Sequence, residues 1–308
     1  MKITPQVRQI LDRYEGERPG VKTSLARLLM HGRLAGTGKL VILPVDQGFE
    51  HGPGRSFGSN PAAYDPHYIF DLALAAGLNG LAAPLGLLAA GADTFVGALP
   101  LILKANDADS LSAEKDQAIT ATVRDALELG CCAMGYTIYP GSDHQYGMFE
   151  EVRQAIAEAR AHGLAVIVWS YPRGGSLSPE GETALDVIAY SVQIAALLGA
   201  HIVKVKLPTA HIEQAEARGP YAAMGIDFTV PANRVAHVMR AALGGRRMVI
   251  FSGGAAKEQG VLLDEIRAIR DGGGNGSIMG RNSFQRPRQD ALAMLDAVTQ
   301  TYLSSGRK

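Results

Sequence analysis

Cysteine is nearly absent: the 308 residues hold two, and they are neighbours, Cys131 and Cys132. Adjacent residues of an extended chain point to opposite sides, so an ordinary disulfide between them is disfavoured and a reducing cytoplasm fits. Net charge is lacking as well. Thirty basic residues balance thirty acidic ones, which leaves no global field to draw the chain to nucleic acid or a membrane surface. No apolar run approaches the length of a membrane span, and the opening MKITPQVRQILDRYEG reads as an amphipathic helix and not as a secretory leader. The eight histidines, His31, His51, His67, His144, His162, His201, His211 and His237, form no HxH or HxxxH pair, and no carboxylates group at strand ends, so a catalytic metal is not expected. GRLAGTGKL is not a phosphate loop either: no glycine stands five before Gly38, Leu40 takes the place of the Ser or Thr, and a strand follows.

What the chain does have is 47% hydrophobic residues, 36 glycines and a regular alternation. Eight apolar runs, KLVILPVD, GLAAP, PLILKAN, CCAMGYTIY, AVIVWSYP, IVKVKLP, MVIFSGG and GSIMGRN, start near 39, 80, 100, 131, 165, 202, 248 and 276. Helical patterns stand between them near 66–77, 112–129, 148–162, 180–198, 232–243, 257–270 and 284–304, with a short link after the second run. Strands alternating with helices pair in parallel through crossovers, and eight units close a (β/α)8 barrel. The expected fold is therefore α/β, a single barrel over 39–308 behind a helical extension over 1–38. That extension, read as helices over 4–15 and 21–32, either caps the barrel's N-terminal face or packs between subunits. Pro44 sits awkwardly in the first strand. An open doubly wound sheet is the alternative, but it would more often show a glycine-rich turn after its first strand. GGGNG at 272–276 reads as a helix stop and turn.

Barrel chemistry gathers where strands end. There the sixth strand carries Lys204 and Lys206, two apart and so on one face, while Val203, Val205 and Leu207 take the other. Desolvation and a neighbouring cation both favour loss of a proton from one of the pair, giving an amine able to form an imine; an exposed strand edge is the plain alternative. Asp46 ends the first strand, Trp169, Tyr171 and Arg173 end the fifth, Ser252, Gly253 and Gly254 the seventh, and Gly280 and Arg281 the eighth. Glycine-rich exits ahead of helix N-termini, with an arginine beside them, suit a phosphate at the site barrels often use. Asp46 is a turn former or a group that holds a substrate hydroxyl and moves its proton. Tyr171 is a core aromatic or a proton donor whose charged form nearby cations would stabilise. Trp169 reads as a packing wall, His51 and Arg173 as an outer anion clamp or solvent-facing loop residues, and Lys104 as an inward cation that could support phosphate.

DQGFEHGP at 46–53, WSYPRG at 169–174, VKVK at 203–206, SGG at 252–254 and GR at 280–281 resemble the archaeal-type class I fructose-bisphosphate aldolases, including their bacterial members. The resemblance runs in matching order from about residue 40 to the end. It implies reversible, metal-free and cofactor-free cleavage of fructose 1,6-bisphosphate to dihydroxyacetone phosphate and glyceraldehyde 3-phosphate. It further implies Lys206 as the Schiff-base lysine, Tyr171 as proton donor and Asp46 as a contact for substrate hydroxyls. The phosphate ligands would be Ser252, Gly253, Gly254, Gly280 and Arg281, with His51, Trp169, Arg173 and Lys204 near substrate. A cytoplasmic homo-oligomer, as large as a decamer, is implied too. Gln47 and Arg55 depart from the archaeal pattern, which has a histidine and an acidic residue at those places. Both touch outer substrate contacts, so a related Schiff-base lyase or transferase on another phosphorylated ketose stays open, as does a non-catalytic phosphate-binding barrel.

Overall fold

All eight expected runs form strands in the computed structural model, which describes residues 2–254 and 257–304. They are β1 Leu40–Pro44, β2 Gly80–Pro84, β3 Leu101–Lys104, β4 Ala133–Ile138, β5 Ala165–Ser170, β6 Ile202–Lys206, β7 Met248–Ser252 and β8 Gly276–Ile278. Each pairs in parallel with its chain neighbours, and β8 closes on β1 through Leu40–Gly276, Val41–Ser277 and Ile42–Ile278. Closure rules out the open sheet. Pro44 is accommodated because Leu40 and Ile42 make the bonds toward β8, and that ladder ends at Ile278 before Pro44 is reached.

Side chains alternate between two buried layers, as the pleat requires. Val41, Leu43, Val203, Val205 and Val249 face outward to the helices, while Ile42, Ile102, Ile167, Ile202 and Ile250 fill the barrel. The inner layer continues into α1 (Pro5–Asp12) and α2 (Pro19–Leu29), whose Val7, Ile10, Leu25 and Leu28 plug the N-terminal end. Polar bonds fix the plug: the Tyr14 hydroxyl donates to the His201 carbonyl at 2.6 Å and accepts from the Met248 N–H at 3.2 Å. Ser24 donates to the Gly163 carbonyl at 2.7 Å. The helical extension caps the barrel's N-terminal face.

The helices expected near 66–77, 148–162, 180–198, 232–243, 257–270 and 284–304 are present as Pro66–Ala75, Gln145–Ala161, Leu185–Leu198, Pro231–Ala241, Gln259–Asp271 and Arg288–Leu303. The short link after β2 contains helix Leu85–Ala92. One expectation fails. Residues 112–122 are not helical; a loop carries Ala118–Ile119 back to pair antiparallel with Asn106–Asp107, and the helix is only Val123–Glu128. Asp109 folds its side chain onto the N–H groups of Leu111 and Ser112, and the Thr122–Asp125 capping box sets the late helix start. Short helices Gln47–His51 and Pro53–Phe57 after β1, and Ala215–Ala223 after β6, had no clear periodic signal.

Candidate active site

The C-terminal ends of the strands surround a cavity of ≈ 310 Å³. Asp46, His51, Tyr171, Arg173, Lys204, Lys206, Ser252, Gly253, Gly254, Gly280 and Arg281 all line it, so the strand-end residues converge on one mouth as expected. Trp169 does not reach it. The indole is buried in the barrel core, where Gly135 on β4 leaves room for its ring, and it borders a smaller polar chamber shared with Lys104, Asp107, Gln117 and Thr137. Its place is that of a wall. Lys104 also belongs to that chamber and not to the cavity lining: it is buried, it donates to Asn106, and it stands 3.6 Å from the Asp107 carboxylate.

The two lysines of β6 occupy one face but different surroundings. Lys204 is buried with its Nζ 4.9 Å from the Trp169 ring centroid and 5.3 Å from that of Tyr171. Burial pulls its pKa down to about 8, against the opposing pull of the Asp46 and Glu50 carboxylates. The cation assisting that shift is Arg281, whereas the sequence pointed to the other lysine. Lys206, one turn of the pleat further out, is about one-third exposed and donates from Nζ to Glu182 Oε2 at 3.2 Å. Its strand partner across the ladder is Ser252.

Tyr171 departs from expectation. Nearby cations were to favour its charged form, yet burial first and the Asp46 carboxylate second push its pKa well above the usual phenol value, while a hydrogen bond with Ser252 opposes them only in part. Arg173 and Lys204 lie over its ring, 6.0 and 5.3 Å from the centroid. A neutral phenol is a donor. Asp46 is buried and its Oδ1 has no hydrogen-bond partner among the described residues, so the carboxylate retains acceptor capacity beside the cavity.

The residues expected to cradle an anion lie at the exits of β7 and β8. Asn282 ties the two together, donating to the Gly253 carbonyl at 3.1 Å and accepting from the Lys257 N–H at 3.0 Å. The Gly253 N–H is already engaged with the Ile278 carbonyl at 3.2 Å, so Gly253 contributes an absent side chain more than a donor. Helix Arg281–Phe284 starts directly at Gly280, whereas the helix after β7 begins only at Gln259. The positive end nearest the cavity is therefore that of the eighth unit. Two acids escaped the sequence reading. Glu50 stands 3.6 Å from Arg173 and 3.7 Å from His51; the signal was its place four after Asp46 at the start of a helical turn, which sets both on one side. Glu182 meets Lys206 only through space, and nothing in the sequence marks it.

A closed parallel barrel with two lysines and a phenol at its mouth fits a class, the barrel lyases that work through a Schiff base. Residues 40–286 match the DeoC/LacD family of aldolases, and the chain belongs to that family. A class 1 fructose-bisphosphate aldolase of Thermoproteus tenax is 35% identical over 265 residues, spanning 85% of this chain and 89% of its own. A Methanocaldococcus jannaschii protein named fructose-bisphosphate aldolase/6-deoxy-5-ketofructose 1-phosphate synthase is 34% identical over 273 residues, 85% and 81% of the two chains. The structure of an archaeal fructose-1,6-bisphosphate aldolase, its catalytic lysine bound to the carbinolamine intermediate, superposes with a TM-score of 0.75 at 32% identity over 91% of this chain and 99% of that one. Among the described residues no helix is long and apolar enough to cross a membrane.

Proposed function

We propose that the enzyme cleaves fructose 1,6-bisphosphate reversibly through an imine on Lys206. The observation that carries this reading is the register of Lys206 with Ser252, which sets their backbones one strand spacing, about 4.8 Å, apart with both residues lining one cavity. A ketone carbon next to a phosphorylated carbon spans that distance. With the C1 phosphate against Ser252, Gly254, Gly280 and Arg281, the C2 carbonyl meets Lys206; Lys204 adds positive charge deeper in the same cavity.

Loss of water from the carbinolamine leaves a cationic iminium that draws the C3–C4 bonding pair into an enamine. Asp46 takes the C4 hydroxyl proton as glyceraldehyde 3-phosphate departs. Tyr171 then protonates C3, and the proton held by Asp46 restores the phenol. The order is favoured electrostatically, because neutralising Asp46 removes a charge that keeps the Tyr171 proton in place. Hydrolysis releases dihydroxyacetone phosphate. Borohydride added with dihydroxyacetone phosphate should leave one stable adduct, found by peptide mass on Lys206; recovery on Lys204, or no adduct, would overturn the assignment.

Glu50 favours a second reading for the outer half of the substrate. It partly neutralises Arg173, the cation available to a C6 phosphate on that side, which suits an aldehyde partner with less negative charge. Comparison of kcat/KM for fructose 1,6-bisphosphate and fructose 1-phosphate separates the two readings: a preference for the bisphosphate supports the first. The same proposal includes a cytoplasmic homo-oligomer, supported by two buried free cysteines and by Tyr146, Tyr190 and Leu197 exposed on the outer helices.

A further inference from the structure

A long cation that is to meet a phosphate at the rim of a cavity must be held still without using up its donors. Arg173 lines the mouth, and its polar contacts are loose: Nε is buried with no hydrogen-bond partner among the described residues, and the Glu50 carboxylate stands 3.6 Å away, outside hydrogen-bonding range. What supports it is aromatic. The guanidinium carbon lies 5.0 Å from the centroid of the Tyr139 ring and 6.0 Å from that of Tyr171, so both are within cation–π reach and Tyr139 is the nearer. A ring engages the flat face of a guanidinium and leaves its N–H edge for an anion.

Tyr139 has no part in the chemistry above, yet its position is fixed from several sides. It is buried just past β4, where the Asn106 side chain carries the sheet beyond the end of β3, donating to the Thr137 carbonyl at 2.8 Å and accepting from the Thr137 N–H at 2.6 Å. Gln117 donates from Nε2 to the Tyr139 hydroxyl at 2.7 Å, and the Arg173 N–H donates to the Pro140 carbonyl at 3.1 Å, which draws the arginine's own segment alongside. Gln117 stands directly before Ala118–Ile119, the pair of residues that turns back onto Asn106–Asp107, and the Ser142 hydroxyl donates to the Lys115 carbonyl in the same loop. The loop found in place of the expected helix thus has a duty: it pins the exit of β4.

We propose that Tyr139 is a positioning residue of the outer phosphate site, its ring face holding the Arg173 guanidinium at the mouth and so setting the preference for a ketose phosphorylated at both ends. The inference rests on the reading in which Arg173 is the cation for the C6 phosphate. Tyr139 acts in competition with Glu50. With the ring present, the guanidinium is stabilised through its face and its edge donors stay open; without it, the Glu50 carboxylate is the stronger attraction and takes the donors that the phosphate requires.

The test is the ratio of kcat/KM for fructose 1,6-bisphosphate to that for fructose 1-phosphate, measured on the full chain. Tyr139→Leu should lower this ratio by about 10-fold, mostly through KM for the bisphosphate. Tyr139→Phe keeps the ring and should hold the ratio within about 2-fold of wild type. Phenylalanines bearing successively more ring fluorines at position 139 keep the shape of Phe while draining charge from its face, so the ratio should step down along the series; this comparison decides the matter even where Tyr139→Leu does not fold. A ratio that stays flat across the fluorinated series would overturn the proposal, because a fall in Tyr139→Leu would then reflect lost packing alone. Arg173→Leu probes the reading underneath. If that variant keeps the wild-type ratio, Arg173 is not the cation for the far phosphate and the reading itself fails; if it lowers the ratio while the fluorinated series stays flat, only the role of Tyr139 falls.

Discussion

The Lys204 ammonium lies 4.9 Å from the centroid of the Trp169 indole, inside the barrel, with its pKa drawn down to about 8 by burial. The unfolded chain keeps that proton up to an ordinary lysine value near 10.4. Between about 8 and 10 the unfolded state therefore binds more protons than the folded one, and this group's contribution to stability rises with pH across that window. Below it both states carry the proton, and the desolvation cost is constant. Lys204→Met should be the more stable protein at pH 7 by up to about 3 kcal/mol, with the gap narrowing as pH approaches 10. Thermal melts of both proteins at pH 7 and 9.5 check this, and the difference between them cancels the opposing titration of the buried cysteines. The same variant should bind phosphorylated substrate more weakly.

Tyr171→Phe should separate the two halves of the reaction. The phenol is neutral and aimed at the cavity, so its loss removes proton transfer at C3 without disturbing imine formation at Lys206. Turnover is expected to fall by about 10²- to 10⁴-fold, while borohydride still labels Lys206 in the presence of dihydroxyacetone phosphate. Exchange of the C3 proton of that ketone with deuterated water, followed by NMR, should vanish in step with turnover. Equal losses in trapping and turnover would place the tyrosine earlier in the sequence of steps.

How much of this was legible follows from what each residue answers to. Strands buried on both faces must be short apolar runs ended by turn formers, so all eight could be read from KLVILPVD to GSIMGRN, and their ends located the mouth. Residues 112–122 misled because Ala, Glu, Lys and Gln favour helix locally, while side-chain turns at Asp109 and the cap at Thr122 decide the backbone. Lys204 and Lys206 could be placed on one face by period alone. Which of them is dry and which is paired depends on Trp169 and Glu182, contacts made across other strands and loops. Glu182 lies 24 residues before its partner, outside any motif.

Gly135 has a packing duty that a methyl group would expose. A Cβ there would collide with the Trp169 ring, and the indole has nowhere to retreat because Lys204 covers it from the mouth side. Gly135→Ala should destabilise the barrel by about 1–3 kcal/mol and displace Lys204. Chemical denaturation measures the first effect. The second should appear as a rise in KM for a phosphorylated ketose larger than any change in kcat.

Tyr14 tests whether the N-terminal cap is only a foundation. Its hydroxyl bridges the His201 carbonyl and the Met248 N–H at the end of the barrel opposite the cavity, and all three groups are buried. Tyr14→Phe keeps the ring but leaves the Met248 N–H without its acceptor, at a cost of about 1–3 kcal/mol in urea denaturation. Because the strands run the full height of the barrel between that bridge and the mouth, kcat and KM below the unfolding transition should match wild type. A fall in kcat without loss of stability would mean that β6 and β7 transmit a shift from His201 and Met248 to Lys206 and Ser252, and the cap would then be part of how the lysine is aimed.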